Sequence, residues 1–257
     1  MTIRETGAVV AMQKIPQDDP RAVALVAAIR RGDVAELQQQ LDGDRALAAV
    51  RISDAQGAAR TLLHVVADWP GHLPHGAALV SALASAGAAV DAPMIHSRPN
   101  GAPETALHWA ASSDDVAVLD ALLDHGANIE AMGAVHTGGT AMSDAVVFAQ
   151  WNAARRLLER GAATTIWQAA ALGLVDRVAA ACAATPAPSA RDITNAFWHA
   201  CRGGQRATAE FLLAQGADLQ WVGYDDRTPL DAARDSGDSA LITWLTSQGA
   251  RGSSSHW

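Results

Sequence analysis

TALHWAASSDDVAVLDALLDHGANIEA (residues 105–131) is the stretch whose reading decides the fold. It opens on a threonine able to cap a helix and runs through a short alanine-rich turn. After a polar break it continues into a second helix with a Leu-Leu pair and stops at Gly126. Each feature has a physical purpose. The Ala-Ala pair lets neighbouring helices approach closely, and the glycine permits the left-handed conformation that ends the second helix. The stretch is thus one helix pair, too small to bury its own apolar face.

Working outward, the same features recur. Glycine-centred segments AGAAVDA (86–92), HGANIEA (125–131), RGAATT (160–165), QGADLQ (215–220) and QGARG (248–252) place Gly87, Gly126, Gly161, Gly216 and Gly249 39, 35, 55 and 33 residues apart. The gap of 55 holds a degenerate unit, IWQAAALGLVDRVAAACAA (166–184). Ahead of the glycines stand TLLH (61–64), TALH (105–108), TAMS (140–143) and TPLD (228–231). This arrangement resembles the ankyrin repeat from about Asp19 to Ala250. AVALVAAIRRGDVAELQQQL (22–41) resembles an amino-terminal capping unit.

The resemblance implies an all-α solenoid of stacked helix pairs joined by finger loops, stabilised by neighbours and polar ends. The expected organisation is a flexible arm over 1–18 and one domain over 19–250, with a flexible tail over 251–257. Within the domain lie a cap unit at 19–43 and repeats near 54–92, 104–131, 139–165, 165–192, 193–220 and 226–250. In the family the inner helices and fingers form a concave face. The motif histidines, His64 and His108 here, are expected to tie neighbouring loops together.

The column following the motif histidine is usually aliphatic. Here it is read as Val65, Trp109, Asp144, Gln168, His199 and Ala232. Polar groups there require partners or water. Two readings are open: a network among Asp144, Gln168, His199 and loop backbone, or the polar floor of a ligand pocket with aromatic walls. At the end of the inner helix, TLLHVVADWPGHLPH (61–75) departs from the standard unit through about five inserted residues, Pro70 to Pro74. That places Asp68 and Trp69 at the rim of the concave face, with Trp69 as either a wall or a plug for the enlarged turn. Arg202 ends another inner helix. The fingers add His96, His136, Trp221, Tyr224, Asp225 and Asp226. The candidate ligand-binding set is therefore Asp68, Trp69, Trp109, Asp144, Gln168, His199, Arg202, Trp221, Tyr224 and Asp225.

Composition narrows the partners. The formal charge is −8 and Lys14 is the only lysine, so no basic stripe is available for nucleic acid or anionic lipid. No apolar run reaches membrane-spanning length and no signal-peptide core is evident, which gives a cytoplasmic expectation. High Ala and Arg use hints at a bacterial source. Cys182 and Cys201 read as small buried thiols in helices. His72 and His75 lie near Asp68, but the prolines break helical spacing and nothing completes a ligand set, so no metal is expected. No phosphate loop, dinucleotide fingerprint or nucleophile elbow is present, so no cofactor is expected.

The expected function is a recognition scaffold that binds a protein segment or a small molecule on its concave face. The alternative is a cofactor-free hydrolase or isomerase acting on a small aromatic or heterocyclic compound, with Asp144 as base and His199 as acid across a gap holding Gln168. The motif places Asp144 and His199 too far apart for a direct hydrogen bond.

Overall fold

The computed structural model describes residues 12–98 and 100–253. Most of the expected arm (1–11) and of the tail (254–257) lies outside the described residues. The chain divides into two compact units, Met1–Asp144 and Ala145–Trp257. Among the described residues it is mostly helical, and no helix is long and apolar enough to cross a membrane.

The first unit opens with an element that the all-α expectation lacks. Strand β1 (Lys14–Pro16) lies in the segment read as arm, yet it pairs in parallel with β2 (Arg51–Ser53), which pairs antiparallel with β3 (Ala59–Thr61). Ile15 points inward while Lys14 and Pro16 face out. Between β1 and β2 stand α1 (Pro20–Arg31) and α2 (Val34–Gly43). Asp19 caps α1, Pro20 supplies its first turn and Gly32 stops it in the left-handed region. Ala22, Leu25, Ala28 and Ile29 are the face of α1 that is buried.

Helix pairs follow: α3 (Leu62–Val66) with α4 (Gly76–Ala86), then α5 (Ala106–Ser112) with α6 (Val116–Asp124). α1 packs on α3 and α3 on α5, while α2 packs on α4 and α4 on α6. The motif histidines behave as expected. The Thr61 N–H donates to His64 Nδ1 at 3.3 Å, so the proton lies on Nε2, which donates to the Glu104 carbonyl oxygen at 3.0 Å. His108 repeats the pattern with Thr105 N–H and the Gly139 carbonyl. Each ring fastens its own cap to the next finger. Burial holds His64 at a pKa of about 4 and also lowers that of His108, so both stay neutral hydrogen-bonding groups.

The insertion at 70–74 acts as a fastener. The His72 N–H donates to Asp115 Oδ2 at 2.6 Å, and Asp115 Oδ1 caps α6 through the Val118 N–H. Gly71, at φ 77°, sits where a Cβ would lie 2.9 Å from that of Ser113. On the other side, Pro74 presses on Gly32 at the α1–α2 turn. Trp69 is 79% exposed, so it does not plug the turn. We expect Asp115→Ala, which removes the α6 cap and strands the His72 N–H, to cost about 2–3 kcal/mol in urea unfolding. A loss below half a kcal/mol would show that the insertion fastens nothing.

Helix α7 (Ala141–Val147) begins in the first unit and ends in the second. The second unit continues with α8 (Trp151–Glu159), α9 (Ile166–Ala171), α10 (Val175–Cys182), α11 (Ala190–Arg202), α12 (Arg206–Ala214), α13 (Pro229–Ser236) and α14 (Ser239–Ser247). α11 is its centre, packed on α9, α12 and α13 around Phe197, Cys201, Leu212, Leu230 and Leu241. Gly203 lets the end of α11 lie against α9, since a Cβ there would meet the Ala171 carbonyl oxygen at 2.1 Å.

The capping residues vary with position. Trp198 takes the motif-histidine role, its Nε1–H donating to the Arg227 carbonyl at 2.9 Å just before the Thr228 cap. Asp231 takes it in the last pair, accepting from the Thr228 N–H and hydroxyl. In α9 the cap is Thr165, and its N–H donates to Gln168 Oε1 at 2.7 Å. Gln168 therefore occupies the motif-histidine position and is not in the inward column expected for it. Two consecutive threonines, Thr164 and Thr165, offer alternative registers, and only the hydrogen bonding selects the second.

Candidate functional site

In the first unit, a cavity of about 730 Å³ runs beside α1, within the usual size range of ligand sites. Val23, Val26, Ala27 and Arg30 line it from one face of that helix, and Ile52, Ala59, Met94 and Trp109 line it opposite. Asp18, Asp54 and Arg60 add charge. The spacing 23, 26, 27, 30 is one helical stripe. It is distinct from the stripe that builds the core, and Val23 is 53% exposed. The sequence signal was available: AVALVAAIRR is apolar around more than one face, which a surface cap helix has no need to be.

Two sequence-derived candidates reach this groove. Trp109 lines it, packing edge-on against His64 with ring centroids 5.0 Å apart, and its side chain favours the charged form of Glu104. Asp68 stands behind it, paired to Arg60 at 2.8 Å and holding that guanidinium at the groove wall. Trp69 does not line it. Gln17, Asp18 and Ile52 escaped sequence reading because the wall they form requires strand β1 and the β2–β3 hairpin to be in place.

Asp144 ends the first unit and is 1% exposed. Among the described residues neither carboxyl oxygen has a hydrogen bond of ordinary geometry, and only the Val135 N–H favours the charged form. Burial, with the Glu104 carboxylate adding repulsion, pushes the pKa up to about 7. Glu104 is itself raised by burial.

The second unit gathers the remaining candidates around α11. His199 is 3% exposed and its Nδ1 has no partner among the described residues. Its ring lies 4.7 Å from that of Trp167, 5.0 Å from Trp198 and 5.6 Å from Tyr224. Burial, with Arg202 adding repulsion, holds the imidazole down to about 3, so it is neutral at physiological pH. Tyr224 is 51% exposed, donates its hydroxyl to Asn195 Oδ1 at 3.1 Å, and meets Trp221 edge-on at 6.0 Å. Arg202 lies over the Trp198 ring at 5.7 Å, with Asp225 close enough to favour its charge. Among the described residues no three His, Cys, Asp or Glu side chains form a metal-holding group.

Comparison with known proteins adds one match: residues 104–134 fit the family model described as the ankyrin repeat. No curated protein matches the chain. The matched segment is the pair α5–α6 with its following finger, and its Thr–His cap recurs at Thr61–His64 and, with other side chains, at Thr165–Gln168 and Thr228–Asp231. Residues 104–134 are an ankyrin repeat.

Proposed function

We propose that the repeats form a solenoid recognition scaffold and that the groove along α1 receives an extended segment of a partner protein. The observation that carries this is the second apolar stripe of α1, left uncovered beside a cavity with an aromatic wall. From Pro20 to Arg30 the helix spans about 15 Å at 1.5 Å per residue. An extended chain covers that length in roughly five residues. The charges set its polarity: a cationic residue suits Asp18 and Asp54, and an anionic one suits Arg30. A small molecule is the other occupant to be tested.

Selection of displayed random peptides on the full chain should enrich short apolar segments with opposite charges at their two ends. Val23→Asp and Trp109→Ala should each weaken their binding at least about tenfold. Enrichment of peptides indifferent to both substitutions, or no enrichment, would overturn the assignment.

A cofactor-free enzyme is the second reading, and the Asp144 carboxyl favours it, because a buried acid with a pKa of about 7 suits proton transfer at neutral pH. It requires that a panel of aryl esters and amides include a compound whose turnover is lost in Asp144→Asn. No turnover of any member, or turnover unchanged by the substitution, would remove this reading.

A further inference from the structure

We infer that the second unit carries a separate binding site for a small aromatic carboxylate, formed by Arg202, His199 and Tyr224 with Trp167 and Trp198 as walls. It does not depend on the groove of the first unit.

The guanidinium comes first. Arg202 is half-buried, and burial lowers its pKa. It donates one hydrogen bond, from Nη1 to the Val147 carbonyl oxygen at 2.6 Å. A guanidinium has five N–H donors in a planar fork suited to a carboxylate. Among the described residues none is within ion-pair distance of it: Asp225 acts only from farther away, and Asp235 is taken by Arg227. A half-buried cation with spare donors is costly unless an anion completes it.

Its surroundings point to a flat ligand. His199, three residues earlier, and Asn195, four before that, lie on the same face of α11. His199 is neutral and its buried Nδ1 lacks a partner among the described residues, so the imidazole adds polarity without a competing charge. The Trp167, Trp198 and Tyr224 rings enclose it, and the exposed Tyr224 supplies a rim that a bound ring can stack against. The carboxylate would meet the Arg202 fork and the ring would lie against the aromatic rim.

Calorimetric titration of the full chain with benzoate and naphthoate, beside acetate and neutral benzamide, tests this. The aryl carboxylates should bind, with acetate and benzamide at least about tenfold weaker. Arg202→Gln should lower aryl carboxylate affinity by about tenfold or more, with helicity retained by circular dichroism. Should that variant unfold, Tyr224→Ala, changed at an exposed rim, should give a several-fold loss. The inference is overturned if no aryl carboxylate binds, if benzamide binds as well as benzoate, or if the folded variants bind as wild type does. A peptide ending in a phenylalanine carboxylate that binds far better than benzoate would assign the site to a protein terminus and overturn the small-ligand reading.

Discussion

Asp144→Asn is expected to stabilise the protein by up to roughly 4 kcal/mol at pH 8 and to have little effect at pH 4. The folded carboxyl has a pKa of about 7 against an ordinary value of 3.8. Between those values the folded chain holds a proton that the unfolded chain has released. Stability therefore falls as pH rises through that window, by about 1.4 kcal/mol per unit, and the whole penalty is present above pH 7. The amide resembles the protonated acid and never ionises.

The histidines oppose this trend. His64 and His199 are depressed from 6.5 to about 4 and about 3. Below pH 6.5 the unfolded chain takes up protons that the folded rings refuse, so each costs stability as pH falls, again by about 1.4 kcal/mol per unit. Over pH 6.5 to 4 the wild type should lose roughly 1.4 kcal/mol per unit from these three groups, and Asp144→Asn about twice that. Urea unfolding at a series of pH values measures both slopes. Identical pH profiles for wild type and variant would show that Asp144 is solvated or partnered in solution.

Removing residues 226–257 is expected to unfold or aggregate the second unit. The deletion takes α13 and α14, whose Leu230, Leu241 and Leu245 are buried in the same core as Phe197, Cys201 and Leu212. At about 1.5–3 kcal/mol for each buried leucine, the loss consumes most of the stability of an ordinary domain. It also strands the Trp198 Nε1–H, whose acceptor is the Arg227 carbonyl. Circular dichroism and size-exclusion chromatography should show lost helicity or large aggregates. A monomer with native helicity up to residue 225 would mean that the last pair does not shield the core of its neighbour.

Legibility in the sequence followed the range of the interactions involved. The caps are local, three residues from donor to acceptor, so Thr61, Thr105 and Thr228 could be placed from motif alone. Gln168 was misplaced by one position because Thr164 and Thr165 offer equal local chemistry. The strand Lys14–Pro16 has no local signature, and its pairing with Arg51–Ser53 joins residues 37 apart. Likewise the insertion's shape was evident from Pro70 and Pro74, but its partner Asp115 lies 43 residues beyond His72. The groove depends on the first of these distant pairings, because β1 and β2 bring Gln17, Asp18 and Ile52 to its wall.

The scaffold claim is tested most directly by hydrogen–deuterium exchange of the full chain with and without a selected peptide. Protection should concentrate in residues 17–30, 52–60 and around Met94 and Trp109, the segments that line the groove. Protection confined to α4, α6 or other segments away from this groove, with residues 17–30 exchanging as in the free protein, would contradict it.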